Sequence, residues 1–396
     1  MPDTHFKSLI LGAGAAGMMC AAHSGPGTLV IDHAKAPGEK IRISGGGRCN
    51  FTNLHTGSGN FLSENPHFAK SALSRYTPWD FLDLVARHAI PWHEKTLGQL
   101  FCDRSAKDII AMLRAEMGGA GLWLQTSVED IAHRDGRFHA TLTREGARMT
   151  VTADHLVLAT GGKSIPKMGA TGLAYRIAEQ FGHRVTETRP ALVPLTFDEA
   201  QKTVFAALAG TAVDTRVTCN GAAFDEAMLF THRGLSGPAI LQISSFWREG
   251  DQLSVRLRPE LDLYDQLRAR RTVGGGKATA TVLADLVPRA LARHLAEAWG
   301  VTGNLADQSD VSLRDLARRL SDWQLTPTSS EGYRTAEVTL GGVATDKINS
   351  RTMESQILPG LHVIGEALDV TGWLGGYNFQ WAWASGVAAG RAIAAA

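Results

Sequence analysis

Gly12, Gly14 and Gly17 stand in the run Gly12-Ala13-Gly14-Ala15-Ala16-Gly17, a spacing that suits the cradling of a phosphate by peptide N–H groups. Gly12 permits a tight turn, Gly14 lets the backbone come close to a pyrophosphate, and Gly17 lets a helix lie close on a strand. Twenty residues after Gly12, Asp32 offers a carboxylate able to accept hydrogen bonds from ribose hydroxyls. The expectation is a dinucleotide with its pyrophosphate over Gly14 and its ribose at Asp32. Two more clusters suit the same kind of ligand. In Ser44-Gly45-Gly46-Gly47-Arg48-Cys49-Asn50, three consecutive glycines expose N–H groups in a concave nest, and Arg48 adds a guanidinium that can pair with a phosphate or a carbonyl. Near the C-terminus, Gly375-Gly376-Tyr377-Asn378 opens a helix rich in Ala and Trp from Phe379 to Ala395, and a helix N-terminus led by glycines suits an anionic partner.

These residues need particular elements to hold them. The apolar run Ser8-Leu9-Ile10-Leu11 reads as a strand, Met18 to Ala22 as a helix, and Thr28-Leu29-Val30-Ile31 as a second strand ending at Asp32, which is the βαβ order a glycine motif must show. His155 to Ala159 reads as a further strand running into Thr160-Gly161-Gly162, and Leu361 to Ile364 as another running into Gly365-Glu366. The βαβ unit alone does not choose FAD over NAD. Its partner clusters lie at the far end of the chain, so the segments between must include insertions. Short apolar runs with turns between them, Ala212 to Thr218 and Leu253 to Leu257, predict β structure from Pro190 to about Arg258. The three- and four-residue spacing of Val282, Leu283, Leu286, Val287, Ala290, Leu291 and Leu295, and of Leu313, Leu316 and Leu320, predicts helices between Leu261 and Trp323. Thr335 to Leu340 reads as a return strand. The expected α/β architecture is a discontinuous dinucleotide domain of residues 1–190 and 336–396, an inserted β domain of 191–260 and 324–335, and a helical subdomain of 261–323.

With 396 residues, 44% hydrophobic and 20% charged, the chain has the balance of a globular protein of two or three domains. Forty Lys and Arg nearly cancel 39 Asp and Glu, so no bulk field calls for nucleic acid or membrane. Cys20, Cys49, Cys102 and Cys219 show no CxxC spacing, which speaks against a zinc site, a redox dithiol or a disulfide framework. No apolar run reaches the roughly 18 residues of a membrane span. The expectation is a cytoplasmic protein with neither metal nor leader.

The sequence resembles the YhiN/HI0933-like family of bacterial flavoproteins, within the group with two dinucleotide-binding domains that includes glutathione reductase. The resemblance rests on Gly38-Glu39-Lys40-Ile41-Arg42-Ile43 through Ser44-Gly45-Gly46-Gly47-Arg48-Cys49-Asn50-Phe51-Thr52-Asn53, Gly98-Gln99-Leu100-Phe101-Cys102, Ala159-Thr160-Gly161-Gly162-Lys163-Ser164, Pro190 to Leu195, Thr231 to Pro238, Gly341-Gly342-Val343, Thr352 to Ser355, and Gly365-Glu366 through Gln380. It spans nearly the whole chain. It implies a Rossmann-like FAD domain of the glutathione-reductase type, with a β-barrel-like insertion that itself carries a helical subdomain. It also implies a flavin pocket drawn from both ends. From the N-terminal side come Gly12, Gly14, Ala15, Ala16, Gly17, Asp32, His33, Lys40, Ser44, Gly45, Gly46, Arg48, Cys49 and Val128. From the rest come Thr160, Gly161, Gly162, Gly365, Glu366, Asp369, Gly375, Gly376, Tyr377, Asn378 and Phe379, with Glu366 or Asp369 placed for the ribityl hydroxyls. Asp32 stands where many relatives carry glutamate, which shortens the reach without changing the chemistry.

Members of this family reduce conjugated C=C bonds, in uridine of ribosomal RNA in the YhiN branch and in steroid enones in another. In both, hydride goes to the β carbon and a proton to the α carbon. His93 to Asp103 and Asp369 to Trp383 are most similar to the YhiN branch, which implies uridine in 23S rRNA as substrate. No second GxGxxG unit is present, so the expectation is that NAD(P)H visits the flavin transiently as reductant. Cys102 is the first candidate proton donor, since a thiol is protonated at neutral pH, and a buried inert cysteine is the alternative. His232 and Tyr377 are reserves. Trp373, Trp381 and Trp383 fit either a base-stacking face or the core of a terminal helix. The basic cluster Arg268, Arg270, Arg271 and Lys277, with glycines 274–276, fits either a solvated helix end or an RNA contact. Amine oxidation with oxygen as acceptor, reduction of a small-molecule enone, and a flavin-loaded RNA-binding redox sensor are the competing functions.

Overall fold

The buried runs Leu9-Ile10-Leu11 and Leu156-Val157-Leu158 lie side by side in parallel register, Leu9 against Leu156 and Leu11 against Leu158. Continuous apolar strands of this kind need cover on both faces, as in a parallel sheet between layers. In the computed structural model, which describes residues 4–396, they form the middle of a seven-stranded sheet. Its order is Gly121–Trp123, Thr28–Ile31, Thr4–Leu11, Ala147–Leu158, Arg137–Arg144 and Thr126–Arg134. The long strand Ala147–Leu158 changes partner along its length: residues 147–153 run antiparallel to Arg137–Arg144, and Leu156 to Leu158 run parallel to Leu361–Val363. That exchange joins the C-terminal segment to the N-terminal βαβ unit.

The helices Ala15–His23 and Tyr377–Ala395 cross at very close range. A Cβ on Gly386 would stand 2.7 Å from the Ala16 carbonyl oxygen, and one on Gly390 2.5 Å from that of Cys20. The Ala and Gly content of the last helix is therefore a packing requirement. Trp381 and Trp383 are buried in it, and their indole N–H groups donate to the carbonyls of Gly365 (3.0 Å) and Phe51 (2.8 Å). Trp383 stacks on Phe81 and Phe379. These two indoles belong to the core and offer no base-stacking face; Trp373 is half-buried.

The chain up to Arg189 together with Val338–Ala396 makes one compact unit, and Pro190–Glu337 makes the other. The second unit holds a seven-stranded antiparallel sheet, ordered Trp323–Leu325, Leu253–Leu257, Ala212–Cys219, Ala222–Thr231, Gly234–Ser236, Leu195–Thr196 and Ser329–Ser330. Helices Leu263–Gly274, Thr279–Leu283, Arg289–Ala298 and Asp310–Ser321 fill the interval between two of its strands. The apolar spacing from Val282 to Leu295 belongs to two helices, because Pro288 precedes the second and cannot donate within the first. The return strand is shorter than the sequence suggests: Gly332–Arg334 forms a 3-10 turn, and only Val338–Leu340 is extended. Among the described residues no helix is long and apolar enough to cross a membrane, and no three His, Cys, Asp or Glu side chains converge as a metal site would need.

Candidate functional site

The glycine turn shows three different constraints at its three glycines. Gly12 has φ +109°, and a Cβ there would press to 2.5 Å on the Ala159 carbonyl oxygen, at the end of the neighbouring strand. A Cβ on Gly17 would lie 1.9 Å from the Gly12 carbonyl oxygen, so helix and turn touch backbone to backbone. Gly14, by contrast, caps the helix in ordinary extended geometry, and a Cβ there would meet nothing within 4 Å. Space is kept open in front of a helix N-terminus, where a pyrophosphate would find free N–H groups. Asp32 fixes the turn. Its carboxylate accepts from the Ala13 N–H (2.7 Å) and the Ala34 N–H (2.9 Å), and His33 Nδ1 lies 3.3 Å away. A carboxylate has about four acceptor positions, so ribose hydroxyls can still be received. Ala15 and Ala16 form the first turn of the helix, and Val128 is half-buried on the strand Thr126–Arg134, where the ladder shifts register.

The loop Ser44 to Arg48 winds through left-handed backbone at Gly45, Gly46 and Gly47, and Cys49 continues it at φ +52°. Arg48 is exposed, and Cys49 is fully buried with its thiol pushed up by burial. The far half of the site reaches the near half directly: a Cβ on Gly365 would stand 2.9 Å from the Ala16 side chain. Glu366 ties four segments together. Lys40 Nζ donates to its Oε2 at 2.8 Å, while the Thr339 N–H (2.9 Å) and the Ser164 hydroxyl (3.2 Å) donate to Oε1. Oε2 keeps room for one more donor, such as a ribityl hydroxyl. A Cβ on Gly161 would stand 3.6 Å from Glu366 Oε2, and in the preceding residue the Thr160 hydroxyl is buried with no partner among the described residues. A buried hydroxyl without a partner is costly unless a ligand completes it.

Since Lys40 and Glu366 keep about a third and a fifth of their side chains exposed, screening trims the value of their pair. Lys40→Met is expected to cost about 1 kcal/mol, read as a fall of about 2 °C in the thermal midpoint of the FAD-free protein. An unchanged midpoint would show that the tie is only positional.

The last helix begins at Tyr377 behind Gly376, where a Cβ would meet the Thr52 carbonyl at 2.4 Å. Behind Gly375, Asn378 folds the preceding loop onto the helix: it accepts from the Gly372 N–H and donates to the Gly372 and Trp373 carbonyls. Phe379 stacks on Trp383. Tyr377 is buried edge-on between Phe61 and Trp373. Asp369 receives the Glu64 N–H at 2.8 Å, and burial raises its carboxyl above the usual range, so it holds a loop in place.

Cys102 is fully buried and its thiol is pushed up to about 12 by burial, which makes it a poorer acid than the sequence suggests. His232 is exposed on a turn of the second unit. Of the basic cluster, Arg271 is held by Asp310 and the Gln308 carbonyl, and Arg270 by Gln266, while Arg268 and Lys277 are exposed. The helix Leu263–Gly274 takes in the first glycine after the cluster. Asn50, Gln99, Ser164, His93 and Asp103 lie within quoted motifs without a site role of their own, and Thr339 lies outside them; only the strand alternation in Gln99-Leu100-Phe101-Cys102 signals that Gln99 and Phe101 share a face.

The residues present fit FAD: open space at the helix N-terminus, a ribose carboxylate, a partnerless hydroxyl and a half-used carboxylate at the second strand end. The HI0933-like protein Rossmann domain family matches residues 6–392. The chain is 49% identical to a ribosomal RNA dihydrouridine synthase of Escherichia coli (strain K12), an alignment covering 99% of this chain and 98% of that protein. It is 30% identical to a 3-dehydro-bile acid delta(4,6)-reductase of Clostridium scindens, over 97% of this chain and 98% of that one. Among solved structures, the 3-ketosteroid-delta4-(5alpha)-dehydrogenase of Rhodococcus jostii RHA1 superposes with a TM-score of 0.55 at 16% identity, over 99% of this chain and 97% of that one, a likeness of fold. By family and fold together, the chain belongs to the HI0933-like family and is an oxidoreductase built on a Rossmann domain.

Proposed function

We propose that this oxidoreductase is an FAD-dependent reductase, supplied by NAD(P)H in the cytoplasm, that saturates the C5=C6 bond of a uridine in 23S rRNA. The observation that carries the reading is the 49% identity, along the whole chain, to a protein named for that reaction on ribosomal RNA. Bound FAD would supply hydride from N5. The chain's own part is to seat the pyrophosphate over Gly14, hold the ribose at Asp32, and enclose the ring end with the Ser44–Arg48 loop, Thr160, Glu366 and the Gly375–Asn378 turn. With no second glycine motif, NAD(P)H would visit and leave. Exposed Arg268 and Lys277 are the members of the basic cluster best placed to meet an RNA phosphate. A second reading, reduction of a small-molecule enone, is favoured by the relative named as a bile acid reductase.

The test is a single turnover: chemically reduced holoenzyme is mixed anaerobically with a uridine-containing 23S rRNA fragment. One dihydrouridine per flavin, with matching flavin reoxidation, is the expected result. RNA binding without turnover would instead mark a redox sensor, and reoxidation only by oxygen, with peroxide release, an amine oxidase. Failure of both NADH and NADPH to reduce the flavin would remove the nicotinamide step.

A further inference from the structure

The segment His93 to Asp103 builds two strands of a three-stranded antiparallel sheet, with Gln99–Cys102 between Asn50–Asn53 and Trp92–Glu94. Strand alternation sends Leu100 and Cys102 into the core and leaves Gln99 and Phe101 on the other face. That face borders the candidate cofactor residues. A Cβ on Gly45 would stand 2.8 Å from the Phe101 ring, and one on Gly375 3.1 Å from the Gln99 side chain. His93 is the direct cross-strand partner of Phe101, and the two rings lie within 15° of parallel with centroids 6.0 Å apart.

His93 Nδ1 sits 2.6 Å from Asp103 Oδ1. A carboxylate at Nδ1 fixes the tautomer and orients the ring, which leaves Nε2 for work. Both side chains are about two-fifths exposed, so substrate can arrive and solvent can restore a proton. The surrounding charges are few. Lys95 Nζ lies 5.6 Å over the Phe101 ring, Arg104 is tied to Asp108, Glu94 pairs across the ladder with Leu100, and exposed Arg48 stands in the loop whose carbonyl receives the Cys102 N–H. Two other acids considered for this step are placed less well: Cys102 faces the core and Tyr377 is enclosed by rings.

We propose that His93, oriented by Asp103, is the acid that delivers the proton to the α carbon of the substrate. The proposal rests on the uridine-reductase reading. In that reaction the C5=C6 π bond breaks as C6 accepts hydride, the two electrons coming from reduced flavin. The pair released toward C5 is captured as the Nε2–H bond breaks and a C5–H bond forms. The neutral imidazole then regains a proton from water.

The experiment uses FAD-loaded wild type, His93→Gln and Asp103→Asn, each reduced chemically and mixed with the uridine-containing rRNA fragment. His93→Gln is expected to keep its flavin spectrum and RNA affinity while single-turnover dihydrouridine formation falls by about 100-fold or more. Asp103→Asn, which loses the carboxylate that orients the ring, is expected to react about 10-fold more slowly. Nitrogen-15 spectra of the histidine rings give a readout apart from turnover: Nδ1 of the neutral His93 ring carries the proton in wild type, and in Asp103→Asn that proton is shared with Nε2. A His93→Gln rate within threefold of wild type, or an Asp103→Asn ring whose tautomer is that of wild type, overturns the proposal. Wild type that makes no dihydrouridine overturns the uridine reading itself, an outcome distinct from an active wild type with an equally active His93→Gln.

Discussion

Gly14→Val should fold with the thermal midpoint of the FAD-free wild type yet bind FAD at least about 100-fold more weakly, a loss of about 2.7 kcal/mol. The backbone at Gly14, φ −86° and ψ −167°, is open to any L-residue, and no protein atom lies within 4 Å of the position its Cβ would take. Nothing in the folded chain resists the side chain. The added methyls fill the space in front of the first helix, where the pyrophosphate must approach the N–H groups. Gly17→Ala is the control of opposite kind. Its Cβ would stand 1.9 Å from the Gly12 carbonyl oxygen, so even the FAD-free protein loses stability as the helix is pushed off the turn. Melting curves of the FAD-free proteins and fluorescence titration with FAD separate the two effects. If Gly14→Val took up FAD as tightly as wild type, the cofactor would not lie over this turn.

The near half of the site was legible because its elements are local. Strand, glycine turn, helix and second strand follow one another within about thirty residues, and the structure places Thr4–Leu11, Ala15–His23 and Thr28–Ile31 in that order. The far half was legible only as composition. The sequence shows that glycines precede the last helix, but the knot at Glu366 joins Lys40, Ser164 and Thr339, whose meeting depends on a strand that changes partner halfway along. The same limit applies to His93. Its meaning lies in a cross-strand register, His93 against Phe101, and in a carboxylate ten residues on that the hairpin carries back beside it. Reading residue types alone favoured Cys102, one position from Phe101, and alternation turned that thiol into the core. The tryptophans left two readings open for a related reason: an indole with an N–H to satisfy suits a buried carbonyl, as found here, as well as a stacked base.

Lowering the pH from 7 to 5 should remove about 2 kcal/mol of stability through His362 alone. This imidazole is 1% exposed, where the strand Leu361–Val363 pairs with Ala147–Leu158, and burial pushes it down to about 4. Its Nδ1 bond to the Thr352 carbonyl and the Glu354 carboxylate favour the charged form, and neighbouring His155, 3.3 Å away, opposes it. Burial wins. In the unfolded chain the same ring titrates near 6.5, so between about pH 6.5 and 4 the unfolded state binds one proton more than the folded state. Stability is therefore complete above pH 6.5 and falls by about 1.4 kcal/mol for each pH unit below it. His155, itself lowered by burial, acts in the same direction. His362→Leu loses the bonds to the Thr352 carbonyl and to His155, a combined cost of about 2 kcal/mol. The stability gap between wild type and this variant should then narrow by about 2 kcal/mol from pH 7 to pH 5 in urea titrations. A gap constant across that range would place the acid sensitivity in other groups. Three residues further along the chain, about 10 Å of extended backbone, lies Gly365 beside Ala16, so the variant should still bind FAD and the two effects can be measured on one protein.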